Sequence, residues 1–207
     1  MNKNKVFIAI TGDVVQSRNV TEIALIDLKK NLTLLNRQFN PTVPFTIQAG
    51  DEIQGLMSLT GEPVLSLLWF LGIVYPLKVR WGIGRGTLDS SLRQSTAEMR
   101  GEAFEYSREA LKISKKKNRI FSYLSSENNM DQINIIFGLF SGFLEDWNKM
   151  AYRRCHLYSD SKTIYKVAES EGVSTEAINK HMNRTKIRLI LEAAHFLDKN
   201  IFSKSTL

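Results

Sequence analysis

The chain has 207 residues, of which 43% are hydrophobic and 24% charged, and a formal net charge of +7. That balance is ordinary for a globular protein with a sizeable core, and the length allows one large domain or two modest ones. A single cysteine, Cys155, excludes a disulfide framework and a cysteine-rich zinc site and fits a reducing, cytoplasmic setting.

Met1-Asn2-Lys3-Asn4-Lys5 leads directly into a strand pattern rather than an apolar signal core, so no cleavable signal is expected. The net positive charge favours a polyanionic partner. The first strand, Val6–Ile10, is β-branched and is followed by Thr11-Gly12-Asp13. Apolar residues at Ile23, Ile26, Leu28, Leu32 and Leu35 then predict a helix over 23–39, ended by Pro41 and Pro44. Phe45–Ala49 and Ile53–Leu59 flank Gly50-Asp51-Glu52, which predicts a β-hairpin with Asp51 at its tip. Each glycine is expected to turn the backbone at a strand end, leaving the following carboxylate there. Two such carboxylates on neighbouring strands make a hard-oxygen site for Mg²⁺ and a triphosphate; on the other reading each aspartate caps its own turn.

The apolar run Leu65–Tyr75 is short of the about 20 residues that cross a bilayer and reads as a buried helix, 64–74. A strand is predicted over Leu77–Gly82. Gly82, Gly84 and Gly86 suit a strand whose flat face admits a close neighbour. Gly101 opens a helix that reaches Ala110 or beyond, Lys115-Lys116-Lys117 reads as a basic turn, and Arg119–Tyr123 as a short strand. An α+β fold follows, an α/β sandwich with a mixed or antiparallel sheet over 1–127. Every periodic stretch after Met130 is helical, which predicts a separate all-α domain over 128–207.

Within that second part, Ile164–Met182 has helix-turn-helix spacing: a small Ala168, a turn at Gly172, an anchoring Val173, an N-cap at Ser174, and an inner face of Ile178 and Met182. The exposed, DNA-facing side of the second helix would carry Thr175, Glu176, Asn179, Lys180, Asn183 and Arg184, with Asn179 and Arg184 suited to bidentate contacts with base edges. Lys180, Lys186 and Arg188 would hold phosphates. The bland alternative is a helical hairpin for protein contact. His156, His181 and His195 lack metal-ligand spacing and read as ordinary surface or core residues.

Ile10–Ser17, Gly50–Gly55, Val79–Gly84 and Gly101–Phe104, taken in order with the C-terminal helices, resemble the SatD family of bacterial proteins over nearly the whole chain. The first part also resembles the catalytic domain of class III nucleotide cyclases, a ferredoxin-like α/β sandwich. That likeness implies Mg²⁺ held by Asp13, the Val14 carbonyl and Asp51, with Arg80, Arg85 or Arg108 on phosphates. Where the cyclase helix places an asparagine and, one turn later, an arginine, this chain has Glu105 and Glu109. Those carboxylates oppose the negative charge of a phosphoryl transition state, so binding without turnover is expected.

The function expected from sequence is therefore a cytoplasmic, homodimeric, DNA-binding transcriptional regulator of the SatD family. Its altered cyclase-like domain would bind a nucleotide or other phosphate ligand with Mg²⁺. The alternatives are an active Mg²⁺-dependent enzyme on nucleoside triphosphates and a non-enzymatic adaptor.

Overall fold

Nine consecutive residues, Val6–Val14, form the central strand β1, longer than the β-branched run alone suggests. The computed structural model describes residues 5–17, 21–48 and 50–203; Ala49 and the side chain of Ile23 lie outside them. After β1 come helix α1 (Glu22–Phe39), strands β2 (Val43–Ile47) and β3 (Glu52–Ser58), and helix α2 (Pro63–Val74). Strand β4 (Val79–Thr87), helix α3 (Glu102–Lys116) and strand β5 (Phe121–Ser125) complete the sheet region. The sheet order is β2-β3-β1-β4-β5. Every neighbouring pair is antiparallel except β4–β5, which is parallel across the α3 crossover.

The pleat of β1 sorts its residues between two cores. Phe7 and Ala9 pack with Leu56, Met99, Ala103 and Phe104 beneath α3. Ile8 and Ile10 face the other way, into a larger core with α1 and α2. Ile26, expected on the inner face of α1, is 49% exposed.

The glycines divide into two kinds. Gly50 turns the hairpin tip with a φ of +68°, as expected. Gly12 does not turn at all. It is paired inside β1, and a Cβ there would lie 2.3 Å from the Trp81 ring. Gly82 and Gly84 let α3 lie directly on β4, since a Cβ at either would meet helix backbone atoms at 2.1 to 2.3 Å.

Helices α4 (Met130–Glu145), α5 (Lys149–Ser161), α6 (Ile164–Glu171), α7 (Thr175–Thr185) and α8 (Ile187–Asn200) follow. The separate helix-turn-helix domain expected over 128–207 is not what they form. Phe137, Ile178, Ile187, Leu197 and Phe202 belong to the same buried cluster as Ile8, Trp81 and Tyr123. The reason is the apolar outer face of the sheet and α2, which the later helices cover. Two polar ties reinforce this closure. Asp198 accepts from the Val64 and Leu65 amides at 2.9 and 3.0 Å, capping α2, whose own N-cap Glu62 makes no side-chain cap bond. Arg85 donates to Glu127 and to the Ile201 carbonyl, each at 2.9 Å. Among the described residues no helix is long and apolar enough to cross a membrane.

Candidate functional site

Asp13 ends β1 on the α3 side of the sheet. Its cross-strand neighbours are Glu52 on β3 and Arg80 on β4. The expected basic turn at Lys115 is the last turn of α3 instead, and from there the Lys115 ammonium reaches Asp13 Oδ1 at 2.6 Å. The pair is partly open to solvent, with the Asp13 side chain 21% and the Lys115 side chain 45% exposed. Sequence reading missed Lys115 as a site residue because the 102 positions separating it from Asp13 hide the contact.

Val14 follows at the strand end. Val15 N–H bonds to the Lys78 carbonyl at 2.9 Å, so the alternation of an antiparallel ladder turns the Val14 carbonyl the opposite way, towards the hairpin that carries Asp51. Asp51 is half-buried at that tip, next to Glu52, whose Cα is paired with that of Asp13. The three implied metal donors thus sit on neighbouring strand ends. Two carboxylates and a carbonyl suit Mg²⁺ when a ligand's phosphates complete its octahedron. Among the described residues no group of three or more Asp, Glu, His or Cys is placed to hold a metal ion.

The arginines expected on phosphates have separate fates. Arg80 stays at the site, half-buried, with one Nη donating to Asn118 Oδ1 at 2.7 Å. Arg85 is buried and committed to Glu127 and Ile201, so its guanidinium is structural. Arg108 is exposed on α3, as are Glu105 and Glu109, and Glu109 pairs with Lys112 at 2.9 Å.

In the C-terminal part, α6 and α7 meet at Gly172, whose φ is +64°, and the Ser174 hydroxyl caps α7 through the Ala177 amide. Val167, Ala168, Ile178 and Met182 are buried, but Val173, expected as an anchor, is 41% exposed. On the outer face, Arg188 donates to the side-chain oxygens of both Asn179 and Asn183. Thr175 bonds to Glu176, Lys186 closes α7 in the left-handed region, and Lys180 and Arg184 remain exposed. The histidines are structural. His156 stacks on Trp69 and burial lowers its pKa, burial also lowers that of His181, and His195 Nδ1 contacts the Leu191 carbonyl.

The SatD family model matches residues 7–196. The chain belongs to the SatD family. No curated protein matches this SatD-family chain. Two solved structures of a bacterial light-regulated adenylyl cyclase are similar over 57% of it, at 11% and 10% identity with TM-scores of 0.41 and 0.45. The matched region covers 75% of the first of those chains and 42% of the second.

The family match corrects the DNA-binding transcriptional regulator expected from sequence. It extends from β1 into α8, so the helices assigned to DNA lie within the matched family region, and nothing in that match marks them as a DNA reader. The same helices spend their apolar faces on the shared core, and Asn179, expected at a base edge, already accepts from Arg188, as does Asn183 beside it.

Proposed function

We propose that this SatD-family protein binds a phosphate-bearing small molecule of the nucleotide class at the end of β1, together with Mg²⁺, and does not turn it over. The strand order and antiparallel pairing of β1 to β4 support the ferredoxin-like, cyclase-like reading of residues 6–87. One observation carries the proposal: the Lys115 ammonium lies 2.6 Å from Asp13, whose strand partner is Arg80.

Cations and carboxylates are therefore interleaved at one sheet end. A phosphate group entering there takes Lys115 and Arg80 as donors, and Lys115 leaves Asp13 as it does so. Asp13 is then free to join the Val14 carbonyl and Asp51 around a cation. Bound Mg²⁺ supplies charge neutralisation between these carboxylates and the phosphates. Glu105 and Glu109 stand on α3 where a cyclase would present an amide and a guanidinium, and carboxylates at those positions oppose the charge of a reacting phosphoryl.

Thermal unfolding with ATP or GTP, with and without Mg²⁺, alongside a pyrophosphate assay, tests this. Nucleotide with Mg²⁺ should raise the melting temperature, by the equivalent of about 2.7 kcal/mol at a hundredfold excess over Kd. Asp13→Asn should remove the Mg²⁺-dependent part, Lys115→Ala should weaken binding with or without the cation, and no pyrophosphate should appear. An unchanged melting temperature, a shift that Asp13→Asn leaves intact, or pyrophosphate release would each overturn it.

A further inference from the structure

On the opposite side of the same sheet end lies a cavity of about 220 Å³, between the start of β4 and the ends of α2 and α4. Its floor is aliphatic, including Leu71, Val79, Ile120 and Leu144. One wall is aromatic: Tyr75, Trp147 and Tyr152. Trp147 is held by an Nε1–H bond to the Thr185 carbonyl at 2.9 Å and by an edge-on contact with Tyr152, 5.2 Å between ring centroids. Tyr75 meets Tyr152 from another side at 6.0 Å. Burial raises the Tyr152 pKa, so its hydroxyl stays neutral.

The remaining lining is cationic. Lys78, Arg80 and Arg119 line the cavity against one carboxylate, Glu145. Arg80 gives one N–H to Asn118 and Arg119 gives one to the Asn134 carbonyl, and each guanidinium has further donors. Among the described residues, none of the three cations has a carboxylate within salt-bridge distance. An aliphatic floor, a fixed aromatic wall and a net positive lining are complementary to a flat, apolar body that ends in an anion.

Volume narrows the class. A cavity of about 150 Å³ holds benzene, so this one has room for a ring and a carboxylate but not for a whole nucleotide. We infer that this cavity is a binding site for a small aryl carboxylate, its ring against Trp147 and Tyr152 and its carboxylate on Lys78 and Arg119. The site is separate from the phosphate site proposed at Asp13: Arg80 lies at the cavity's edge, but its place opposite Asp13 on β4 puts its side chain on the Asp13 face of the sheet.

The test titrates benzoate and indole-3-carboxylate into the full chain and follows the Trp147 indole N–H resonance, assigned by its loss in Trp147→Phe. A saturable shift is expected, with benzamide, the neutral isostere, binding about tenfold more weakly or worse. Arg119→Gln should weaken the acids by a similar factor. Because Arg119 also braces α4 through Asn134, Lys78→Gln, on an exposed side chain, is the second variant and should weaken them by several fold. No saturable shift, equal binding of benzamide, or acid affinities unchanged in both variants would overturn the assignment. Repeating the titration with Asp13→Asn separates the two sites: aryl acid binding should persist there, whatever becomes of nucleotide binding.

Discussion

Lys115 and Arg85 show how a cation's neighbours decide its use. Lys115 sits at the open end of the sheet beside a half-shielded carboxylate, where a ligand can reach both. Arg85 has an equally plausible address in the strand pattern, yet its side chain is 10% exposed and ties β4 to Glu127 and to the chain beyond α8. Arg85→Gln should therefore lower stability by about 1–2 kcal/mol, since the half-buried Ile201 carbonyl loses its donor while the half-exposed Glu127 is rehydrated. Denaturant unfolding measures the loss, and the nucleotide-induced thermal shift of the same variant should be unchanged. Asp13 and Asp51 each stood out in the sequence from the glycine–aspartate repeat, which by itself does not bring them together. Lys115 did not, because contacts between distant segments leave no mark on local spacing.

The glycines of β1 and β4 place the sheet and α3 in contact. Gly84→Ala puts a methyl carbon 2.2 Å from the Ala103 carbonyl oxygen and 2.3 Å from the Ser107 amide, both backbone atoms that cannot swing aside. A cost of about 3 kcal/mol or more is expected, read as a lower denaturant midpoint, because α3 must lift from the strand. As α3 carries Lys115, the same variant should also weaken nucleotide binding. The close approach was readable in the sequence from three glycines at alternate positions of one strand. Gly12 was misread as a turn because its reason, the Trp81 ring on the adjacent strand, lies 69 positions away in register across β4. Ser174 needed no such knowledge, since capping is local. Ser174→Ala should cost about 1 kcal/mol, measured by thermal or denaturant unfolding, as the Ala177 amide loses its acceptor.

How the helices close on the sheet can be followed through Asp198. Its carboxyl lies 134 positions from Val64, yet it caps α2, and burial pushes its pKa up to about 8 from 3.8. The folded chain then holds this proton more tightly than the unfolded chain does. The resulting stabilisation is complete below the unfolded value and is lost as pH rises from about 4 to about 8. Denaturant midpoints measured across that range should fall with pH from this source, and Asp198→Asn, which cannot ionise, should flatten the slope. A steeper or unchanged slope in the variant would refute the assignment. The outcome bears on function as well, since the cavity at the far end of α2 is walled by α4 and α5 from the same helical layer.

Period and punctuation alone indicated the strands and helices, the hairpin tip at Asp51, the cap at Ser174 and the flat face of β4, because each depends on residues a few positions apart. The family resemblance was also carried by short ordered motifs. Whether 128–207 stood alone, and whether its helices served DNA, depended on where their apolar faces went. Those faces went into the sheet's core, and the polar ends of that packing, Arg85 to Ile201 and Asp198 to Val64, join residues more than a hundred positions apart. Local spacing reports which face of a helix is apolar, but not which surface will cover it. For that reason the carboxylates of the candidate site were visible in the chain, while the ammonium beside Asp13 and the aromatic cavity behind it emerged only on folding.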